Sequence, residues 1–205
     1  VEVTWKITAR EVTPTIVVED GAYNGGDAVE PNFIVKDGET VIPDTEYSST
    51  YINNTKAGTD IGTVTITNKT GGNYIIKETS QNFTINKAAA PTNIQPGSLN
   101  VINGTKLEYT YDAKQLLPDA PKGTYGKVSY NCIFPFNLEN GYYVDDIAID
   151  DSVLTLTIAA LSGRKNSKIG TIPIYITTDN YESFDLPLDL YAVDKITPVV
   201  DGDIT

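Results

Sequence analysis

Strict alternation of apolar and polar residues is the feature that most limits how this chain can fold. In residues 63–67 apolar residues alternate with threonine, and residues 153–158 place two leucines and an isoleucine on one face. Side chains of a strand point alternately to opposite faces, so each segment predicts a strand with one buried face. No run of ten residues shows the i, i+3, i+4 spacing of an amphipathic helix, so we predict an all-β fold. The same alternation recurs near the end of the chain, at Phe184, Leu186, Leu188 and Leu190.

Tight-turn dipeptides separate several of these segments. Asp37-Gly38, Asn103-Gly104 and Asn140-Gly141 each lie between two predicted strands. Such dipeptides readily adopt the positive φ angles of two-residue hairpin turns, so they predict antiparallel sheets that pack as sandwiches.

Two prolines and a change of parity predict details of the later strands. Pro173 and Pro187 cannot donate to a ladder and lie on the outward parity of their strands, which predicts sheet edges. After Leu190 the apolar parity moves to Tyr191 and Val193, which predicts a bulge near Leu190.

An internal repeat organises the chain. Residues 62–67 match residues 170–175 at an offset of 108, and residues 83–87 match residues 191–195 at the same offset. A third copy of this ending, with its aromatic, apolar, basic and proline order, begins at Trp5. We interpret each ending as the last strand of one unit, followed by a short proline-containing link.

The repeat predicts two tandem β-sandwich domains, residues 12–88 and a larger one at residues 89–196, joined by a short link that contains Pro91. Residues 1–11 are expected to be the terminal strand of a preceding unit or the first strand of the first domain. Residues 197–205 are expected to be a linker or the start of a following unit. The chain therefore reads as a piece of a longer protein.

Charge and composition exclude several classes of function. The 205 residues carry 27 acidic against 15 basic side chains, a formal net charge of −12, and the basic residues form no stripe. Such a chain repels nucleic acid and anionic lipid, so neither partner is expected. The sequence has no histidine, which excludes Ser-His and Cys-His nucleophile pairs and histidine metal sites. No apolar stretch is long enough for a membrane helix, so no membrane insertion is expected.

The single cysteine, Cys132, cannot form an internal disulfide. No Lys, Arg or predicted helix start lies near it in sequence to lower its pKa. A partly buried, unreactive thiol is therefore predicted.

Residues 12–88 resemble a family of bacterial surface repeats. The resemblance is carried by Ala22-Tyr23-Asn24-Gly25, Val35-Lys36-Asp37-Gly38, Gly62-Thr63-Val64-Thr65-Ile66 and Phe83-Thr84-Ile85-Asn86-Lys87. These motifs are similar to the tandem Ig-like or MBG-type repeats of large secreted or wall-attached proteins of Gram-positive bacteria. The sequence departs from that pattern at Asp60-Ile61-Gly62, extra residues that we expect to lengthen a loop.

The resemblance implies a non-catalytic, extracellular or cell-wall module that acts as a stalk, a spacer or an adhesion module, without a cofactor. The expected partners are other domains of the same protein and a host or microbial glycan or protein. The acidic, threonine-rich exterior predicts a monomer. The alternative is a carbohydrate-binding or accessory module of a secreted hydrolase. Enzyme activity is not expected, since nothing in the sequence places two carboxylates at the separation that glycoside hydrolysis needs.

Two groups of residues are candidate sites. Tyr142 and Tyr143, with Phe134 and Phe136 beyond the preceding turn, are suited to stacking on sugar rings, although alternation should turn half of each pair into the core. The second group has the oxygen ligands that Ca²⁺ prefers, but its last two residues also fit a plain hairpin turn. That group comprises Asp145, Asp146, Asp150 and Asp151.

Overall fold

The computed structural model describes residues 3–4, 6–104, 106–133, 137–139, 141–160 and 167–194. Within these residues the structure is almost wholly β, with two short 3-10 helices at Asp44–Glu46 and Ala113–Leu116, so the all-β prediction is confirmed. No helix in this part of the chain is long and apolar enough to cross a membrane. Trp5 and residues 195–205, which carry parts of the predicted repeat and the last predicted link, lie outside the described residues. The strands are β1 (Arg10–Val12), β2 (Thr15–Val18), β3 (Gly21–Ala22), β4 (Phe33–Asp37), β5 (Thr40–Val41), β6 (Tyr47–Ile52), β7 (Gly58–Asn68), β8 (Tyr74–Ile76), β9 (Thr79–Asn86), β10 (Gly97–Ile102), β11 (Leu107–Asp112), β12 (Val128–Cys132), β13 (Tyr142–Asp150), β14 (Val153–Ala160), β15 (Ser167–Thr178) and β16 (Phe184–Val193).

The chain forms two compact units. Unit 1 runs to Ala89 and also contains Ala120–Gly126 and Asp179–Glu182. Unit 2 comprises Ala90–Asp119, Lys127–Thr178 and the strand that follows Ser183.

Unit 1 contains a four-stranded sheet in the order β3-β9-β7-β6, a three-stranded sheet β2-β4-β5 and the parallel pair β1-β8. Aromatic rings connect its two larger sheets. The ring centroid of Phe33 on β4 lies 6.0 Å from that of Tyr47 and 6.2 Å from that of Tyr51, both on β6. The ring centroid of Tyr51 lies 6.0 Å from that of Phe83 on β9. Each such pair adds about 0.5–1.5 kcal/mol beyond the burial of its area, so this cluster helps to hold the two sheets together.

The two short segments of unit 1 are held by tyrosines. The Tyr181 ring packs edge-on against Tyr23 and Tyr125, at centroid distances of 5.7 and 5.2 Å. The Tyr23 hydroxyl donates to the Thr124 carbonyl at 3.1 Å, and the Lys122 amide donates to the Tyr181 hydroxyl at 2.9 Å. Unit 1 is therefore closed by contacts between residues that are far apart in sequence.

Unit 2 consists of a four-stranded sheet in the order β10-β16-β15-β12 and a three-stranded sheet β11-β14-β13. Its core is formed by the alternating apolar residues that the sequence marks, and each of them is fully buried. They are Leu154, Leu156 and Ile158 on β14, Ile172, Ile174 and Ile176 on β15, and Leu186, Leu188 and Leu190 on β16.

The sequence repeat corresponds to a repeat in sheet topology. In each four-stranded sheet the last strand of the unit, β9 or β16, pairs antiparallel with a long strand and parallel with an earlier one. The long strands, β7 and β15, contain the matched segments at residues 62–67 and 170–175, and both have an irregular register at the matched glycine. At Gly62 a Cβ would lie 2.4 Å from the Phe83 ring, so the close approach of these strands requires glycine.

Extra residues in unit 1 form a bulge within a strand. Between the pairs Gly58↔Ile85 and Gly62↔Phe83, three residues of β7 oppose one residue of β9. Asp60 lies at the centre of the bulge with a φ of 51°, and its amide donates to the Thr84 hydroxyl. The expectation that Asp60-Ile61-Gly62 lengthens a loop is therefore wrong, because β7 absorbs these residues without ending.

The pairing of the strands confirms only some of the predicted hairpins. Asp37 pairs with Thr40 across a turn in which Gly38 has a φ of 60°, as the Asp37-Gly38 dipeptide predicts. Asn103-Gly104 instead connects β10 to β11, which belong to different sheets. The ladder partner of β10 is β16, and that pair is parallel, as are β1-β8 and β3-β9. The prediction of antiparallel sheets therefore holds for most strand pairs but not for these three.

Pro173 and Pro187 lie on the two central strands of their sheet, so the prediction of edge strands is wrong. They oppose each other across β15 and β16, where a pair without exchanged N–H···O bonds is tolerated. Within the described residues, β12 ends opposite Ile174 and β10 begins opposite Leu188, so neither ladder reaches the outer side of a proline. Each proline thus occupies a local edge of a central strand.

The predicted bulge near Leu190 lies on the neighbouring strand. Leu190 and Ala192 are both fully buried, so the parity of β16 does not change. The register shift is between Lys168 and Gly170 of β15, where the extra residue, Ile169, is also fully buried.

We predict that Leu156→Ala lowers the free energy of unfolding by about 2–5 kcal/mol, because Leu156 is fully buried between the sheets of unit 2. Thr155→Ala, one residue away on the outward face, should cost less than about 1 kcal/mol. Denaturant titration followed by circular dichroism measures both, and equal losses would contradict one-sided burial of β14.

Candidate functional site

Tyr142 and Tyr143 of the predicted aromatic site do not share an exposed face. Tyr142 is 3% exposed, and its hydroxyl donates to the Asn103 side chain at 2.9 Å, so its ring is not available for stacking on a sugar. Tyr143 points the other way and is 43% exposed. Phe134 and Phe136 lie outside the described residues. The prediction of Tyr142 as an exposed aromatic residue is therefore wrong, because strand alternation turns its side chain into the core.

One acidic pair, Asp145 and Asp146, lies in the middle of β13, and the other, Asp150 and Asp151, lies at its end and in the turn that follows. Asp145 forms an ion pair with Lys106 at 2.6 Å, and this hydrogen bond raises the pKa of Lys106. Asp151 has a φ of 51° in the turn between β13 and β14, as the hairpin interpretation predicts. Asp146 and Asp150 are four strand residues apart, or about 13 Å, whereas ligands of one Ca²⁺ ion each lie about 2.5 Å from it.

Within the described residues no group of three or more Asp, Glu, Cys or His side chains is placed to hold a metal ion. The geometry therefore does not let the two acidic pairs share one ion. A calcium site at one pair alone stays a prediction.

The environment of Cys132 disfavours its thiolate. The thiol is partly buried on β12 and lies 3.5 Å from the Pro173 carbonyl oxygen. Burial raises the pKa of Cys132 from 9.0 to about 11. The thiol is partly buried, as the sequence predicts, and its raised pKa is consistent with the predicted lack of reactivity.

A buried acid in unit 2 has two hydrogen-bond partners. The Asp189 carboxylate accepts from the Thr171 hydroxyl at 2.6 Å and from the Lys168 ammonium at 2.7 Å. Burial acts to raise the pKa of Asp189, but the bonds from Lys168 and Thr171 outweigh it and lower the pKa below 3.8. Because its charge is satisfied from two sides, Asp189 ties β15 to β16.

A groove in unit 1, of about 580 Å³, lies between β6 and the segment that leads into β4. Its aromatic side is formed by Phe33, Tyr47 and Tyr51. Ser49 has the same strand parity as the two tyrosines, yet it is exposed. The inward face of β6 is therefore open to solvent at Ser49, between the two tyrosine rings.

Charged groups surround this groove. Glu30, Asp44 and Lys69 line it, and the Lys69 ammonium donates to the Asp44 carbonyl oxygen at 3.1 Å. Burial, then the Asp44 charge, raises the pKa of Tyr47. Burial, then the Glu30 charge and Tyr47, raises the pKa of Tyr51. Each phenol thus lies in the negative field of one carboxylate.

The groove is not among the sites that the sequence predicts. Its signal would have been two tyrosines four residues apart on one parity of a strand, with a serine on the same parity between them. In a strand that is fully covered, Ser49 would have been apolar. The other wall, residues 30–33, comes from a distant part of the sequence, so only the fold brings the two walls together.

Comparisons with known proteins give no family assignment. No protein-family model matches the chain, and no curated protein matches it. Domains 4 and 5 of the S-layer protein SbsC are 14% identical, with 87% of this chain and 99% of that chain covered and a TM-score of 0.25. Tandem Ig repeats of Dlar are 12% identical, with 89% and 98% covered and a TM-score of 0.24. Both TM-scores are too low to place the chain in the family of either structure.

We predict that Cys132 reacts with iodoacetamide at pH 8 about tenfold more slowly than an exposed cysteine. A pKa of about 11 reduces the thiolate fraction about a hundredfold, and the greater nucleophilicity of the more basic thiolate restores roughly a factor of ten. Mass spectrometry of timed samples measures the rate, and the urea-unfolded chain serves as the control. A native rate equal to the unfolded rate would show that Cys132 is not shielded.

Lys168→Ala should destabilise the protein by about 1 kcal/mol at pH 6 and by less at pH 3, since Lys168 is half-exposed and its ion pair is screened. The folded pKa of Asp189 is below its unfolded value, so its stabilising effect is present above about pH 4 and is lost as the pH falls further. Thermal unfolding of both proteins across this range measures the difference. A difference that grows towards pH 3 would reverse the predicted sign.

Proposed function

We propose that this chain is a non-catalytic spacer module of an extracellular surface protein and that its sheets bear tension applied along the chain. The observation that carries the proposal is the pairing of β10 with β16. These strands, near the start and at the end of unit 2, run parallel over six residue pairs from Gly97↔Leu188 to Ile102↔Val193.

The parallel pairing of β10 and β16 determines how the hydrogen bonds between them respond to tension. Tension pulls β10 towards its N-terminal end and β16 towards its C-terminal end, so the two strands are pulled past each other along their length. All the hydrogen bonds between them are then strained together, whereas the bonds of an antiparallel hairpin pulled from its open end break one after another. The ladder of unit 2 is thus arranged to resist extension.

Backbone amides of alternate residues in and just after β10 donate hydrogen bonds to β16. The Asn103 amide donates to the Val193 carbonyl at 2.8 Å, whereas the Ile102 amide donates to the Tyr109 hydroxyl on the other side of the strand. Residues with the parity of Asn103, such as Leu99, therefore donate to β16, and residues with the parity of Ile102, such as Asn100, face away.

Other features support an extracellular spacer. The net charge of −12 keeps an exposed module soluble and disfavours self-association. The outward positions of the long strands carry many threonines and acids, and the apolar residues are turned into two-sheet cores. The resemblance of residues 12–88 to bacterial surface repeats supports a location on the cell surface or in the cell wall, as a stalk or adhesion module.

Single-molecule force spectroscopy of the whole chain, held through its termini, tests the proposal. We expect Leu99→Pro to lower the unfolding force of unit 2 clearly more than Asn100→Pro, because only the first removes an N–H donor that faces β16. The two variants introduce the same ring into adjacent residues of one strand.

Leu99→Ala controls for the lost leucine side chain, and circular dichroism of each variant shows whether unit 2 still folds. Equal unfolding forces for Leu99→Pro and Asn100→Pro would refute a load-bearing role for the β10-β16 ladder. So would a unit 2 that extends without a resolved force peak in the unmutated chain.

A further inference from the structure

We propose that the groove between β6 and residues 30–33 of unit 1 binds a compact organic cation, an alkylammonium head group of the size of trimethylammonium. This site is independent of the load-bearing function and of the candidate residues that the sequence suggested.

The aromatic side of the groove is suited to a cation. Phe33 packs against Tyr47 and Tyr51 with interplanar angles of 47° and 72°, so the three rings face in different directions. The Tyr51 hydroxyl donates to the Pro31 carbonyl at 2.8 Å, which fixes that ring in place. All three residues line the groove, so an alkylammonium group in it is attracted by the negative faces of the rings, which also offer apolar contact to its methyl groups.

The charges at the groove favour the same ligand. Within the described part of the chain, neither the Glu30 nor the Asp44 carboxylate belongs to one of the ion pairs. Both carboxylates act electrostatically on the groove tyrosines. The Lys69 ammonium already lies at the rim, bonded to the Asp44 carbonyl. A cation entering between the rings would therefore gain from two carboxylates and be opposed by one ammonium.

Other small ligands fit the groove less well. An anion would meet two carboxylates beside a chain whose net charge is −12. A neutral sugar could stack on the partly exposed rings of Phe33 and Tyr51, but it would gain no charge–charge attraction from the two carboxylates. The volume of about 580 Å³ lies within the range of small-molecule sites and accommodates a head group of this size.

Titration of the whole chain at low ionic strength, followed by NMR chemical shifts, tests the site. The probes are choline and 3,3-dimethylbutan-1-ol, which has the same shape but replaces the charged nitrogen with carbon. We expect choline to shift groove resonances with millimolar affinity and the neutral alcohol to bind at least about tenfold more weakly. Nα-acetyl-Nε-trimethyllysine amide, used as a third probe, shows whether the site also accepts a cation carried on a peptide side chain.

Charge variants give a test of sign. Glu30→Gln should weaken choline binding about threefold, and Lys69→Gln should strengthen it about threefold, for charges roughly 6 Å from the ligand in a watery groove. Tyr51→Leu, which removes one ring, should weaken it further. Glu78→Gln and Lys77→Gln, exposed residues of unit 1 that do not line the groove, should change the affinity little.

Three outcomes would overturn the proposal. The first is that choline does not bind, the second is that the neutral alcohol binds as well as choline, and the third is that glucose shifts the groove resonances while choline does not. Equal effects of Glu30→Gln and Lys69→Gln would also contradict a cation site, because a neutral ligand feels both charges alike. The circular dichroism spectrum of Tyr51→Leu separates loss of the site from loss of the fold.

Discussion

One-sided burial is the constraint on which the structure depends. Most apolar residues of each long strand lie on one face, so no single sheet can remove them from water. Leu154, Leu156 and Ile158 of β14 are fully buried only because a second sheet lies over them. At roughly 25 cal/mol per Å² of apolar surface removed from water, this burial drives the pairing of sheets in both units. The same alternation places polar residues on the outward face of each sheet.

The matched last strands give each unit its closure. β9 and β16 are central strands, and each joins a long antiparallel neighbour to an earlier parallel strand. In unit 2 the parallel partner is β10, which lies near the start of the unit beside its last strand, β16. The proposed mechanical role rests on this pairing. A bulge in the long neighbour, at Gly62 or beside Gly170, is part of the same arrangement in both units.

The groove of unit 1 exists where the covering of one sheet by the other stops. Tyr47 and Tyr51 point inwards and contact Phe33 of the opposite sheet, whereas Ser49 between them remains exposed. Where the sandwich is incomplete, aromatic rings line an opening together with charged residues that lie outside the strands. The proposed cationic ligand follows from the presence of aromatic rings beside carboxylates. A sandwich edge that was fully closed would leave no such opening.

The sequence by itself determined the strands, their buried faces, the Asp37-Gly38 turn and the repeat. These depend on side-chain period and on backbone preferences of neighbouring residues, which are local properties. Only the tertiary structure decided that Asn103-Gly104 connects two sheets, that Pro173 lies on a central strand, and that Ser49 opens onto a groove. Each of these outcomes depends on where a strand distant in sequence begins, ends or pairs, and local chemistry does not contain that information.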